Sequence, residues 1–167
     1  MFALSIAVKT SSALRLVRNR SIMERVEDYP RPPRVEETQR RLQVFAKGSG
    51  ERIVDTRLSL TETESPGVSY RVLETFHPPT YYIPSKYCSE ERLKPSRARK
   101  TFCEWKGKAT YFDVELDNGN LVQGKVWKYS NPTPAFSAIK DSYAFYPSAF
   151  DCFVDGERVE PQLAAAR

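Results

Sequence analysis

The stretch "TFCEWKGKATYFDVELDNGNLVQGKVWKYS" (residues 101–130) decides the fold. β-Branched and aromatic residues are frequent on both sides of Asn118-Gly119, the strongest short hairpin signal. Residues 101–116 therefore read as a long strand, interrupted by a bulge or bend at Gly107. Residues 121–130 read as its antiparallel return. With a two-residue turn and no bulge, Trp127 falls opposite Thr110, on the face of Phe112 and Val114. Gly124 is the position at which that register would shift.

Working outward, the chain stays β. "LQVFA" (42–46) and "RIVDT" (52–56) flank "KGSGE" (47–51), a glycine-containing hairpin loop. "YRVLETF" (70–76) alternates, and "TYYIP" (80–84) is rich in strand formers. "CFVDGERVEP" (152–161) reads as a closing hairpin that turns at Asp155-Gly156. It echoes the hairpin at 44–56, so the two ends of the domain are expected to pair or pack. "LTETESPGVS" (60–69) is a polar loop, and "KPSRARK" (94–100) a basic, solvated one. One short α-helix is expected over 134–146. Thr133 would be its N-cap and Pro134 its first residue, with Phe136, Ile139 and Tyr143 on one face. Pro147 would end it.

A chain of 167 residues with 40% hydrophobic and 12% aromatic residues has enough apolar material for one folded core. No apolar run is long enough for a membrane-spanning helix. The net charge of +5 hints at nucleic acid, but its location weakens that reading. Residues 1–22 carry Lys9, Arg15, Arg18 and Arg20 and no acid, and without them the balance is about +1. Loop 94–100 has no aromatic interleaving for single strands. No specific nucleic-acid signal remains.

The acid-free start resembles an organelle transit peptide or a plain flexible tail. Residues 23–33, with Pro30, Pro32 and Pro33, read as an extended approach. A single β domain is then expected over 34–160, followed by a short tail, 161–167. Three separated cysteines, Cys88, Cys103 and Cys152, point to free thiols in a reducing compartment, cytoplasmic or organellar. With one histidine and no C-x-x-C pair, neither a metal nor another cofactor is expected.

Four stretches, "HPPTYYIP" (77–84), "CEWKGKATYFDV" (103–114), "VWKYSNPTPAF" (126–136) and "AFYPSAFDCFVDGERV" (144–159), together resemble the family called domain of unknown function 427. The resemblance runs in order from about Val44 to Val159. It implies a mainly β, tent-like domain of two packed antiparallel sheets with one helix. Relatives of that fold often hold zinc through two C-x-x-C knuckles, which this chain lacks. The family also bears a nucleotidyltransferase label. The paired carboxylates for Mg²⁺ that such chemistry needs are not visible here.

The candidate site is assembled from three stretches. Glu74 and His77 close one strand, and Pro78-Pro79 force an extended path after it. Tyr81 and Tyr82 must point to opposite faces. Tyr82 shares parity with Thr80 and is assigned to the site, which leaves Tyr81 with Ile83 for the core. Trp105 precedes Lys106-Gly107, where a mobile cation meets a backbone open to close approach. Trp127 and Tyr129 share a face of the returning strand. An aromatic wall of Trp105, Trp127, Tyr129 and Tyr82, with Glu74, His77 and Lys106 as polar anchors, has the makings of a pocket for a small anionic or aromatic ligand. The alternatives are an enzyme using Glu74 or His77 as acid–base, and a protein-interaction scaffold whose aromatics merely fill the core.

Overall fold

The computed structural model describes residues 25–57 and 67–160. The leader at 1–22, the tail at 161–167 and most of the polar loop at 60–69 lie outside the described residues.

Twelve strands are present among the described residues, in the order β1 (Arg34–Thr38), β2 (Leu42–Ala46), β3 (Arg52–Asp55), β4 (Ser69–Glu74), β5 (His77–Tyr82), β6 (Leu93–Pro95), β7 (Thr101–Cys103), β8 (Gly107–Glu115), β9 (Leu121–Lys128), β10 (Tyr143–Phe145), β11 (Phe150–Val154) and β12 (Glu157–Arg158). The domain is mainly β. Its strands form three open antiparallel sheets, one more than the two expected. A small sheet runs β1-β4-β5, a large one β10-β9-β8-β6 with β7 also on β8, and an end sheet β12-β11-β2-β3.

The end sheet joins the first and last hairpins. Phe150 pairs with Ala46 and Val154 with Leu42, so two chain segments a hundred residues apart close one unit. Leu42, Val44, Ala46, Phe150 and Cys152 are the buried alternates of β2 and β11. The strand period of two puts them on one face.

The central hairpin departs from the simple register. Its loop is closed by Leu116 N–H donating to the Asn120 carbonyl at 2.9 Å, so β8 and β9 resume as Glu115 opposite Leu121. The ladder then shifts between Phe112 and Val114, opposite Gly124. Gly124 has φ +60, a conformation that suits glycine, and its N–H is taken by the Asp113 carboxylate at 2.7 Å. Trp127 therefore pairs with Tyr111, not Thr110. It lies on the face of Tyr111 and Ala109, opposite to the face of Phe112 and Val114. One residue of slip exchanges the two faces.

The expected α-helix is not formed. Residues Pro134–Ile139 make a kinked 3₁₀ segment in which Phe136 has φ −116 and ψ 16, outside helical values. Thr133 does not cap it; its hydroxyl donates to the Trp105 carbonyl at 2.5 Å. Tyr143–Phe145 instead pairs with Val126–Lys128 as β10. Phe136 and Ile139 are both buried, as the pattern required, but an i, i+3 spacing serves a 3₁₀ turn as well as a helix. The strand-forming "YAF" then gains a long-range ladder that a helix would forgo.

Two hydrophobic clusters result. The first lies under the end sheet and includes Leu42, Val44, Ile53, Val114, Val126 and Phe150. The second lies between the small and large sheets and includes Val72, Tyr82, Ala109, Tyr129, Phe136 and Ile139. β5, β8 and β9 supply both, each with alternate residues.

Candidate functional site

β4 and β5 are joined by a two-residue turn, Thr75-Phe76, so Glu74 stands opposite His77 across the hairpin. Phe76 holds φ +63 and is largely exposed. Neither residue is a usual turn former, so no local preference signals the reversal. Pro78 and Pro79 are tolerated because β5 is the edge of its sheet and the ladder to β4 shifts beside them, between the pairs Glu74–His77 and Val72–Thr80. The side chains after them alternate. Tyr82 enters the second cluster, and Tyr81 and Ile83 pack on the first.

Residues 101–115 are not one strand with a bend. Glu104-Trp105-Lys106 is a turn, and β7 folds back on β8 with Cys103 opposite Gly107. Gly107 makes this possible at φ +99, and a side chain there would meet the Asn131 carbonyl at 3.3 Å. Trp105 thus sits in the turn, half-buried against the second cluster.

Glu74, His77, Tyr82, Lys106, Trp127 and Tyr129 line one hollow of about 300 Å³ between the small and large sheets. Trp105 is not among its walls. Thr101, Cys103, Tyr111 and Tyr146 complete it. Those four were not assigned to the site from sequence. Tyr111 enters through the shifted register, and Tyr146 follows a segment expected to be helical.

The Lys106 ammonium lies 3.9 Å from one Glu74 oxygen and 5.8 Å from the Phe136 ring centre. It is held by pairing rather than by hydration, since its side chain is only 13% exposed. The other Glu74 oxygen is 3.9 Å from Arg31. His77 stands at the exposed rim, with Nδ1 2.9 Å from the Thr75 carbonyl. Because a carbonyl only accepts, Nδ1 carries the proton.

The phenols lie close together. The Tyr82 and Tyr129 ring centres are 6.2 Å apart. The Tyr111 hydroxyl is 2.8 Å from that of Thr101. Trp127 and Tyr146 hold ring centres 4.5 Å apart, and Tyr82 meets Trp127 edge-on at 6.3 Å. Burial pushes the Tyr82 and Tyr129 hydroxyls well above the ordinary tyrosine range, with further upward push from Tyr129 on Tyr82 and from Cys103 on Tyr129. Burial and the adjacent Tyr111 push Tyr146 up to about 12. Near neutral pH these phenols are protonated and can donate. The hollow thus presents neutral donors, an ammonium that faces the Glu74 carboxylate, and two aromatic faces. That is chemistry for an anion or a flat ring.

Among the described residues, no three of His, Cys, Asp and Glu come together as a metal would require. No curated protein matches the chain. A family model described as "Domain of unknown function (DUF427)" matches residues 34–156, which include every strand from β1 to β11 and all the walls of the hollow. The chain therefore belongs to the DUF427 family.

Proposed function

We propose that this domain binds a small anionic or aromatic ligand in the hollow between its small and large sheets. The observation that supports this most is the convergence of Lys106, Tyr82, and the neighbouring Trp127 and Tyr129, from three separate stretches, on one open space of about 300 Å³. An open cleft with aromatic walls and a few polar groups is the usual form of a small-ligand site. The family resemblance supports tent-like packing of the sheets around that ligand. Catalysis through Glu74 or His77 has less support. Both Glu74 oxygens already face cations, and His77 is exposed with Nδ1 committed to Thr75. A scaffold role would leave the space filled by the protein's own side chains. No helix among the described residues is long and apolar enough to cross a membrane, so the ligand reading does not involve a helical anchor there.

The test uses the full chain with benzoate and inorganic phosphate as probes. A ligand that binds only the folded state raises stability, by about 2.7 kcal/mol at a hundred times Kd. Cys103 supplies a second readout because it is the cysteine in the wall. Burial pushes the thiols of Cys88 and Cys152 up to about 12, which makes them poor targets for iodoacetamide. The expected result is a raised Tm with one or both probes and slowed alkylation at Cys103 alone. If neither probe raises Tm or protects Cys103, the reading fails.

A further inference from the structure

β5 is a partition. On the side of Tyr81 and Ile83 lies a second hollow of about 290 Å³, between β5, the end sheet and the residues following β10. Its floor is Leu42, Val44, Ile83, Phe145 and Cys152, all buried, with half-buried Val154 at one side. Polar groups are confined to its rim: Gln43 is bonded to Asp55, and Ser148 and Glu160 are exposed. Among the described residues, no lysine or arginine lines it. The two hollows are adjacent. Pro78, Thr80, Trp127 and Tyr146 wall both, and the tilted Trp127–Tyr146 ring pair stands between them.

Each hollow alone lies near the lower bound of volumes that hold small ligands, about 300 Å³. Together they reach the middle of that range, with the Lys106 ammonium, its partner Glu74 and phenols at one end and apolar walls at the other. Uniform ligands do not match such a division. A flat aromatic anion would leave the aliphatic hollow empty, and a plain hydrocarbon would leave Lys106 and the phenols unused.

We propose that the ligand is a free single-chain amphiphile with an anionic head, seated head-first beside Lys106, Tyr82 and Tyr129, whose apolar chain passes Trp127 and Tyr146 into the second hollow. This rests on the reading of the first hollow as an anion site and adds the class of molecule that it takes. The ring pair fits the crossing point, because flat faces accept a methylene chain without unmet hydrogen bonds.

The experiment is calorimetric titration of the full chain with octanoate, butanoate and octan-1-ol. Each added methylene in an apolar site contributes about 0.8 kcal/mol at most. Octanoate, with four more methylenes, should therefore bind tighter than butanoate by up to roughly 200-fold, and also tighter than octan-1-ol. Val154→Asp places a carboxylate in the aliphatic hollow and should abolish the chain-length advantage while leaving butanoate affinity unchanged. Ser148→Phe, at an exposed rim position whose backbone carbonyl rather than side chain holds Lys47, should do the same by filling the space. It decides the matter if the aspartate variant does not fold. Equal binding of octanoate and butanoate would overturn the chain site and leave the anion site standing. Octan-1-ol binding as tightly as octanoate would overturn the two-part ligand, as would an advantage that survives both substitutions. Absence of any binding by either carboxylate, with benzoate and phosphate also inert, would bring down the anion reading as well.

Discussion

The two hydrophobic clusters are built from the same strands but do different work. β8 sends Val114 and Phe112 to the first and Ala109 and Tyr111 to the second. β9 likewise divides Val126 from Trp127. The first cluster is largely aliphatic, and its charges stand outside it, as in Arg41–Asp55 and Arg92–Glu51 at its margins. The second has phenols, an indole and a lysine inside it and an unfilled space at its heart. A two-sided sheet lets one face specify the fold while the other carries polar groups that a sealed core would exclude. The comparison predicts that changes in the first cluster cost stability and changes in the second cost binding.

The largest effect belongs to Phe150, which is 1% exposed and meets Phe145 edge-on at 5.5 Å. Phe150→Ala should destabilise the domain by about 3–5 kcal/mol, the loss of transfer energy plus the cavity left behind. Urea denaturation measures it. The surviving folded fraction should bind benzoate or phosphate with unchanged affinity. A loss under about 1 kcal/mol, or a selective loss of binding, would break the division of labour.

A smaller effect is expected at the margin of the first cluster. Burial works to raise the pKa of Asp55, but hydrogen bonds from Arg41, the Arg57 N–H and Gln43 outweigh it and hold the carboxyl below the usual carboxylate range. A folded-state pKa below the unfolded one gives stability that is fully present above the unfolded value, near pH 4, and is lost as pH falls through the folded value. Asp55→Asn should cost about 1.5–3 kcal/mol at pH 7, the range for hydrogen bonds to a charged group. The difference between the two proteins should shrink steadily below about pH 4, where the wild type surrenders the same contribution. Denaturation at pH 7, 4 and 3 checks the sign. A gap that widens on acidification would mean that Asp55 is not the group held ionised by Arg41.

These contrasts also explain what the sequence disclosed. The end hairpins were legible because each is rich in strand-forming residues and turns on glycine, at 47–51 and at Asp155-Gly156. Tyr82 was separable from Tyr81 because the period of two admits no other division. The turn at Thr75-Phe76 was not legible, since a phenylalanine at positive φ is dictated by the pairing of Glu74 with His77 and not by local preference. The same holds for Glu104–Lys106. A single glycine suits both a bend and a reversal, and only the contact of Gly107 with Asn131 decides between them. The face of Trp127 hung on one bulge at Gly124, which flagged the position of a shift without fixing its size. "SAIKDSYAF" (137–145) satisfies helical spacing locally, yet its last three residues were claimed by β9. Tertiary pairing, not propensity, settled each of these places.

The smallest expected stability change is at Lys106, and it discriminates most sharply between the two faces. Its side chain is largely buried, so removing the charge would be costly if Glu74 were then left alone. Glu74 is not left alone. Arg31 remains 3.9 Å from its other oxygen, and about a fifth of the carboxylate side chain stays open to solvent. Methionine replaces the aliphatic stem at similar volume and keeps contact with Phe136, where a thioether packs favourably on a ring. Lys106→Met should therefore change stability by no more than about 1 kcal/mol, the range for a partly solvated ion pair whose carboxylate keeps a second cation. It should weaken benzoate or phosphate by about 1.5–3 kcal/mol, the worth of a hydrogen bond to a charged group. Urea denaturation and calorimetric titration on one preparation give both numbers. If stability falls by several kcal/mol while affinity is untouched, Lys106 belongs with Arg41 and Arg92 as a fastener of the fold, and the second cluster differs from the first only in its residue types. If affinity falls while stability holds, the ammonium is kept in a largely buried place for a molecule that the protein must bring in from outside.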